Sequence, residues 1–353
     1  KIGCGGPGQP GSGAAYLIPI RLEVNRFMSS NFRLLSPDGQ PGSSGEPDAV
    51  HFDPAADAVD ELERVSGLHA GYRRAHARGI CCRASFLPSG KAAAFTTAPH
   101  LQDREIKAIV RFSGSSTDPG LADLLSPAKG MAVQFLLPDG GRTNLVAVTV
   151  PVFFARTPQS FMEMLTTLNR TRAGSMTKSE ALKNFARRFG ESRQSLLALK
   201  RLKPPASYAA NLYYCIHAYF LVDEEGHRRP VKFEWIPDAG VQTLSIHDAA
   251  AQPDDYLESE LQSRLSEQPA SFRLSIVLGE EGDPTDDPTK RWPNDRRRID
   301  AGRLVVLEPV DEPAGLLMDP TVVPDGIALS DDPILRFRRD AYAESFKRRG
   351  AGH

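Results

Sequence analysis

The sequence predicts an α+β protein in which an antiparallel β-barrel of about eight strands is surrounded by helices. Short segments rich in β-branched and aromatic residues recur about every ten to fifteen residues, with glycine, proline or aspartate between them. Helical segments lie among these strands without the regular strand–helix alternation of a parallel sheet. Of the 353 residues, 41% are hydrophobic and 25% are charged, which is ordinary for a globular protein and excludes a mainly disordered chain.

The chain begins with a segment of different composition. Glycine, proline and serine are frequent in residues 1–15 and 36–48, and the intervening YLIPIRLEVNRFMSSNFRLL is compatible with a helix or an arm. We therefore predict an N-terminal arm and loop over residues 1–48 and one folded domain over residues 49–353. The first helix of that domain is indicated by the helical spacing of Val59, Leu62, Val65 and Leu68.

The remaining elements follow from two periodicities, that of strands and that of helices. Strands are predicted for HARGICCRASFLPSG, KAAAFTTA, IKAIVRFSGSS, GMAVQFLLPDGG, TNLVAVTVPVFFA, SFRLSIVLGE and GRLVVLEPV. A hairpin that turns at residues 223–226 is predicted for LYYCIHAYFLVDEEGHRRPVKFEWIP. Helices are predicted for PQSFMEMLTTLNRT, SEALKNFARRFGESRQSLLALKRL, DDYLESELQSRLSE and DDPILRFRRDAYAESFKRRG.

Composition also limits the partners and the compartment. The 43 Lys and Arg residues are balanced by 44 Asp and Glu residues, which argues against a nucleic-acid partner. We see no apolar stretch long enough for a transmembrane segment, and the N-terminus lacks the apolar core of a signal peptide. Four cysteines without a CxxC pair fit free thiols in a reducing compartment. We expect a cytoplasmic protein, or a periplasmic one if a signal peptide has been removed.

Two places in the sequence carry distinctive chemistry, although the GxSxG and GxxxxGK[ST] motifs do not occur. His76 lies between Arg73 and Arg78 where a helix leads into a strand, and such a histidine acts either as an acid/base or as a structural group. In the last helix, Arg338 and Tyr342 are four residues apart and share a face. A guanidinium favours the phenolate form of a neighbouring phenol, while an ordinary basic surface helix is the alternative.

Five blocks of sequence between residues 73 and 349 match, in order, the motifs of one known family. RRAHARGICCRASF is similar to R-V-V-H-A-[KR]-G-x-x-x-x-G-x-F, and VRFSGSSTDPGLADLLSPAKGMAVQFLLPDG to R-F-S-T-V-x-G-x-x-G-S-x-D…R-G-F-A-V-K-F. NLVAVTVPVFFA is similar to D-L-V-G-N-N-T-P-[VI]-F-F, and CIHAYFLVDEEGHRRPVKFEW to H-T-[FY]-x-x-x-N-x-x-G…V-K-F-H-[YW]. VVPDGIALSDDPILRFRRDAYAESFKRR is similar to P-G-I-x-x-S-P-D-x-x-L-x-x-R-x-F-x-Y. Together the blocks resemble the haem catalase superfamily, in particular its short branch of catalase-related peroxidases.

The resemblance makes residues 49–353 a minimal catalase-like, haem-binding domain with a C-terminal proximal haem helix. It implies that haem b is the cofactor and that Tyr342 is the axial ligand of its iron. Arg338 would pair with the phenolate oxygen, and His217 and Asp332 match a group that supports Arg338.

On the other side of the haem, the resemblance assigns His76 as the distal acid/base. This residue would move a proton between the two oxygens of a peroxide while the O–O bond breaks. Ser113 matches the residue that orients the histidine ring. Arg73, Arg111 and Arg349 match the arginines that bind the two haem propionates through charge-assisted hydrogen bonds.

Apolar residues complete the implied pocket. Val146 and Phe161 match groups that flank the macrocycle, and Phe153 and Phe154 match paired aromatics near the distal channel. For these aromatic residues, plain packing in a core is the alternative to contact with haem.

The sequence departs from the family pattern in the distal pocket. Val148 stands where the third block of the family has an asparagine, because AVTVP replaces GNNTP. Valine cannot hydrogen-bond a peroxide, so we expect weak catalase activity and a pocket better suited to organic hydroperoxides. Thr149 is adjacent, but neighbouring residues on a strand face opposite ways.

These observations predict a haem-dependent peroxidase that acts in the response to oxidative stress. It would reduce organic hydroperoxides or hydrogen peroxide and oxidise a small organic electron donor, and a homodimer is one compatible assembly. One alternative is an enzyme that rearranges lipid hydroperoxides, resembling allene oxide synthase. The other is a non-catalytic haem carrier, against which His76 argues because a carrier needs no distal base.

Overall fold

The structure, a computed structural model, describes residues 53–350 except 127, 178, 181, 182 and 184–186. The arm and loop predicted for residues 1–48 and the start of the domain at residue 49 lie outside the described residues, so both remain predictions. Ten strands and six α-helices lie wholly within the described residues.

Eight of the ten strands close an antiparallel barrel. Around the barrel the order is β1, β2, β3, β4, β5, β7, β8 and β9, and β9 returns to pair with β1. The other two strands extend the sheet sideways, since β6 pairs with β7 and β10 pairs with β6. The predicted barrel is therefore confirmed. The strands are β1 (Gly79–Pro88), β2 (Ile106–Gly114), β3 (Lys129–Leu136), β4 (Arg142–Val148), β5 (Tyr213–Tyr214), β6 (Tyr219–Val222), β7 (Arg228–Pro237), β8 (Ala270–Leu278), β9 (Arg298–Val310) and β10 (Ile327–Leu329).

Side chains alternate between the inside and the outside of this barrel, as the period of a strand requires. Phe112 on β2 is fully buried in the main core, where its ring lies 6.0 Å from that of Phe272 on β8. Its neighbours Arg111 and Ser113 point the opposite way. The outward side chains of β2, β3 and β4 are therefore available to build a site on the outer face of the barrel.

Six helices lie in the described part of the chain, and none of them is both long and apolar enough to cross a membrane. Three begin with a proline, and the residue before it (Asp53, Thr157 or Asp332) accepts hydrogen bonds from first-turn backbone N–H groups. The helices are α1 (Pro54–Ser66), α2 (Pro158–Arg172), α3 (Arg193–Arg201), α4 (Ile246–Ala250), α5 (Tyr256–Glu267) and α6 (Pro333–Gly350).

The last helix is held beside the first two. Helix α6 packs against α1 and α2, and Arg348 near its end donates a 2.6 Å hydrogen bond to Asp60 of α1. The ring of Phe337 on α6 lies 6.2 Å from that of Phe161 on α2. These contacts fix the orientation of α6, which carries Arg338, Tyr342 and Arg349.

Two predicted strands differ from the structure. KAAAFTTA forms a short 3₁₀ turn at Ala93–Phe95 instead of a strand, because its alanines favour helical dihedral angles and lack the packing surface of β-branched residues. The strand predicted for TNLVAVTVPVFFA ends at Val148, because Pro151 has no N–H to donate to a ladder. The predicted hairpin is confirmed, with β6 and β7 on either side of the turn.

Candidate functional site

The predicted distal residues lie side by side on the outer face of the barrel. Ser113 on β2 pairs with Gly130 on β3, and Gly130 pairs with Val148 on β4. Directly opposed residues of antiparallel strands point to the same face, so these three positions form one row. The ring of His76 lies against this row, with Nδ1 3.0 Å from Ser113 Oγ. The structure thus brings His76, Ser113 and Val148 together.

The backbone of His76 is held in an unusual conformation. Its φ is 53°, which makes it the one non-glycine residue with a positive φ among those described. Such a conformation costs about 1–3 kcal/mol and persists only where the surroundings enforce it. Here the next residue is fixed on both sides: Ala77 N–H donates to Ser116 O at 3.0 Å, and Ala77 O accepts from Arg111 Nη2 at 3.1 Å.

Gly130 leaves space for the ring of His76. The sequence patterns did not predict a role for this glycine. A Cβ at this position would lie 2.8 Å from both His76 Nδ1 and Ser113 Oγ. Any side chain would therefore separate the ring from its serine partner. The available signal was the glycine that follows Lys129 in the second block, which matches the glycine of R-G-F-A-V-K-F.

His76 is uncharged at neutral pH. Its side chain keeps some accessible surface, but protein atoms surround it closely, and burial together with the charges of Arg111, Arg338 and Arg73 lowers its pKa to about 3. A neutral ring with its proton on Nδ1 donates to Ser113 and leaves the Nε2 lone pair free to accept a proton. This is the state that an acid/base needs before it takes a proton from a peroxide.

Val148 contributes an apolar surface to the distal row, and its neighbour Thr149 does not compensate. The Thr149 hydroxyl accepts a 3.0 Å hydrogen bond from the backbone N–H of Lys129. Thr149 N–H also donates to the Lys129 carbonyl at 3.0 Å. The hydroxyl is thus engaged with the backbone, as expected for a residue that faces away from Val148.

The predicted aromatic residues form a cluster of their own. The rings of Phe153 and Phe154 are 4.3 Å apart, and both lie about 6 Å from Phe161. Phe161 in turn contacts Phe337 of α6. Mutual packing, the alternative raised for these residues, is therefore realised, while their contact with haem stays a prediction.

The predicted proximal residues form one chain of hydrogen bonds. Arg338 Nη2 donates to the Tyr342 hydroxyl oxygen at 2.5 Å, and Arg338 Nη1 lies 2.9 Å from His217 Nε2. His217 Nδ1 lies 2.6 Å from Asp332 Oδ2. The other oxygen of Asp332 caps the start of α6. A helix cap and a predicted iron ligand are thus connected through the buried His217 and the partly buried Arg338.

The protonation states along this chain follow from its partners. Burial lowers the pKa of His217, against the opposing effects of Asp332. A neutral His217 accepts from Arg338 at Nε2 and donates to Asp332 from Nδ1. Arg338 therefore presents its positive charge to the Tyr342 oxygen.

The three predicted propionate-binding arginines converge from distant parts of the chain. Arg73 Nη1 donates to Glu312 Oε2 at 2.5 Å, and Arg349 Nη1 donates to Glu312 Oε1 at 2.8 Å. Arg111 Nε lies 3.4 Å from Glu312 Oε2. The three arginines were predicted to share one ligand group, but Glu312 was not predicted, because it lies outside the five blocks that resemble the family.

Val146 belongs to a second row on the same barrel face. It pairs with Ala132 on β3, which pairs with Arg111 on β2, which pairs with Cys81 on β1. Val146, Ala132 and Cys81 form an apolar cluster with Leu316 and Met318. A strip of small and apolar side chains therefore leads from the arginines along the barrel surface.

The donor set fits a ferric haem. A phenolate supported by arginine is a hard, anionic iron ligand, and Gly79 leaves space for the guanidinium of Arg111, whose Cζ would lie 2.7 Å from a Cβ there. Arg111 is 5% exposed, and its Nε has no hydrogen-bond partner. A buried, unsatisfied guanidinium donor is suited to a carboxylate such as a haem propionate.

Comparison with known proteins gives a consistent result. The catalase family model matches residues 56–353. The chain is 29% identical over 298 residues to a catalase-related peroxidase of Synechococcus elongatus, covering 83% of this chain and 88% of that protein. It is 32% identical over 297 residues to a catalase-related peroxidase of Mycolicibacterium paratuberculosis, covering 83% of this chain and 93% of that protein.

The fold also matches solved structures. A fungal catalase superposes with a TM-score of 0.70 at 20% identity, covering 90% of this chain and 66% of the catalase. Catalase A from Saccharomyces cerevisiae superposes with a TM-score of 0.68 at 21% identity, covering 90% and 68%. The chain thus spans just under two thirds of the fungal catalase, whose structure it shares over nearly its whole described length.

Proposed function

Because the chain belongs to the catalase family, we propose that it is a haem b peroxidase. It reduces an organic hydroperoxide or hydrogen peroxide and oxidises a small organic electron donor. The names of the two relatives, both catalase-related peroxidases, support this assignment. The single observation that carries it is the arrangement of the distal row, in which a neutral histidine lies beside an apolar Val148.

The haem would be held by residues from both sides of the site. Tyr342 would bind the iron, with Arg338, His217 and Asp332 supporting it. Arg73, Arg111 and Arg349 would bind the propionates. Val146 and Phe161 would flank the macrocycle, and Phe153 and Phe154 would lie near the distal channel. When bound, haem supplies the redox chemistry that carries electrons from the donor to the peroxide.

His76 performs the proton transfer. Its Nε2 takes the proton from one oxygen of the peroxide and returns it to the other, which leaves as water or as an alcohol. Ser113 accepts from Nδ1 and keeps the ring oriented during both transfers. The positive φ of His76 and the space at Gly130 hold the ring in this position.

Val148 decides which reaction is favoured. Catalase activity needs a second hydrogen peroxide to be held as the reductant, and an apolar side chain offers that peroxide no hydrogen bond. An organic hydroperoxide carries an apolar group that fits the same surface. We therefore propose weak release of oxygen and effective oxidation of donors.

The test is a comparison of three reactions of the haem-reconstituted protein. It is incubated with hydrogen peroxide alone, with hydrogen peroxide and an aromatic donor, and with a fatty-acid hydroperoxide. Oxygen, oxidised donor and lipid products are measured, while haem spectra are recorded.

We expect oxidised donor to form much faster than oxygen. Rearranged lipid without consumption of a donor would replace the proposal by a hydroperoxide-rearranging enzyme. Unchanged haem spectra with every peroxide would replace it by a haem carrier.

A further inference from the structure

Glu312 occupies the centre of the three-arginine cluster, defined as Arg73, Arg111 and Arg349. It lies two residues beyond the end of β9, at the barrel edge where Val310 pairs with Cys81. Its two carboxylate oxygens are divided between the arginines: Oε1 accepts from Arg349, while Oε2 accepts from Arg73 and faces Arg111.

Arg73 and Arg349 each make a second contact with the same short segment, residues 312–316. Arg73 Nη2 and Arg349 Nη2 donate to the carbonyl oxygen of Leu316 at 3.3 and 3.2 Å. Each guanidinium therefore uses one nitrogen on Glu312 and a second on Leu316. The protein itself therefore holds Arg73 and Arg349 in place, and the Glu312 carboxylate is their acidic partner.

The charge of Glu312 is retained at neutral pH. Partial burial alone would raise its pKa, but its hydrogen bond to Arg73 and the charges of the three arginines lower the pKa overall. The Glu312 side chain is 34% exposed, compared with 21% for Arg73, 6% for Arg111 and 15% for Arg349. The carboxylate is thus the most accessible member of the cluster and the one most able to move.

We propose that Glu312 is an internal counter-ion of the three-arginine cluster and competes with the carboxylates of the cofactor for it. This inference rests on the proposed function, in which those arginines bind the haem propionates. Three guanidinium groups and one carboxylate leave two positive charges, which the two propionates of haem neutralise. Glu312 occupies Nη1 of Arg73 and Nη1 of Arg349, so a ligand carboxylate that binds these nitrogens displaces at least part of the bonds of Glu312.

Two consequences separate this role from a purely structural one. Without its counter-ion, the apoprotein carries three adjacent unneutralised guanidinium groups, so removal of the Glu312 charge destabilises the apoprotein. The same removal strengthens the binding of a dicarboxylate porphyrin, because no internal carboxylate has to be displaced. A residue that merely positioned the arginines would weaken binding when replaced.

The experiment measures porphyrin binding to the apoproteins of wild type, Glu312→Gln, Glu312→Asp and the control Asp311→Asn, which removes the neighbouring exposed carboxylate. The probes are haemin, iron-free protoporphyrin IX and protoporphyrin IX dimethyl ester, which lacks the free carboxylates. Dissociation constants come from fluorescence titration, and melting temperatures of the apoproteins are recorded beside them.

For Glu312→Gln we expect a lower melting temperature and protoporphyrin IX binding that is tighter by roughly two- to fivefold, the scale of partly exposed ion pairs. Glu312→Asp keeps the charge but shortens the reach to Arg73 and Arg349. Its affinity for protoporphyrin IX should therefore lie between those of wild type and Glu312→Gln. Asp311→Asn should match wild type, and the dimethyl ester should bind all four proteins alike. Glu312→Asp also serves as the test if Glu312→Gln does not fold.

The inference is overturned if the folded Glu312 variants bind protoporphyrin IX no more tightly than wild type. If wild type binds haemin but the variants show no gain, only the role of Glu312 is wrong. If wild type fails to bind haemin at all, the proposed function and this inference are both overturned.

Discussion

The proximal and distal sides of the site differ in the contacts that hold their main side chains, Tyr342 and His76. On the proximal side, three consecutive hydrogen bonds of 2.5, 2.9 and 2.6 Å link Tyr342 to Asp332. On the distal side, His76 Nδ1 lies 3.0 Å from Ser113 Oγ, and the ring lies against the row that contains Gly130 and Val148.

The difference follows from what each side must do. The proximal chain places the guanidinium of Arg338, backed by His217 and Asp332, against the oxygen of the predicted iron ligand. As the proposed acid/base, His76 would gain and lose a proton within one turnover, and a neutral ring that can accept a proton suits this role. The proximal side is therefore a continuous chain of hydrogen bonds, whereas the distal side offers the Nε2 lone pair of His76 to a proton.

Removal of the proximal ligand should have the largest effect. Tyr342→Phe deletes the oxygen that Arg338 contacts, and we expect it to lose the absorption spectrum of tyrosinate-ligated haem and most of the bound haem. Absorption spectra and iron content of the purified variant are the measurements. An unchanged spectrum would show that another residue binds the iron.

On the distal side, His76→Ala should keep haem but lose the proton transfer. Positioned acid/base groups contribute about 10²–10⁴-fold, and we expect the reaction with peroxide to slow by that factor. The measurement is the stopped-flow rate at which peroxide changes the haem spectrum, with His69→Ala as a control. A loss of less than about threefold, far below that range, would remove His76 from the mechanism.

Val148→Asn should make the distal side more polar and raise the release of oxygen from hydrogen peroxide. One hydrogen bond to a reacting oxygen is worth at most about 2.7–4 kcal/mol, and a pocket shaped around valine should give less. Val148→Ala enlarges the pocket without adding a donor and should leave oxygen release low. If wild type already releases oxygen at the rate of a true catalase, Val148 does not set the reaction.

Asp332→Asn should separate the charge of the proximal chain from its capping function. Asparagine caps a helix as well as aspartate does, so the melting temperature should change little, whereas Asp332→Ala should cost about 1 kcal/mol of stability. Because a negative charge behind Arg338 is lost, the midpoint potential of the haem should rise. Equal potentials in Asp332→Asn and wild type would mean that the chain carries no charge effect to Tyr342.

The smallest change is expected on lowering the pH. The pKa of His76 is lowered to about 3, so the ring stays neutral and able to accept a proton far below the usual histidine value of 6.5. The rate of reaction with peroxide should therefore stay level from about pH 8 to about pH 5. A decline centred at the usual histidine value, absent in His76→Ala, would contradict the lowered pKa.

One pair in the site could be predicted from the sequence alone, because its two residues are close in the chain. Arg338 and Tyr342 are four residues apart on a helix, and the structure places them in contact. Other pairs, such as His76 with Ser113, could be predicted only through the family resemblance, since 37 residues separate them. Neither route identified Glu312, whose partners come from three distant segments.

The sequence by itself determined the alternation of strand residues, the helix starts at proline and the residue types available for catalysis. These depend on periodicities and backbone preferences that act over a few residues. Only the tertiary structure decided which groups meet and what state they adopt. Barrel closure places Gly130 against His76, and burial among arginines lowers the pKa of that histidine. Both effects depend on distances between segments far apart in the chain, which no local pattern encodes.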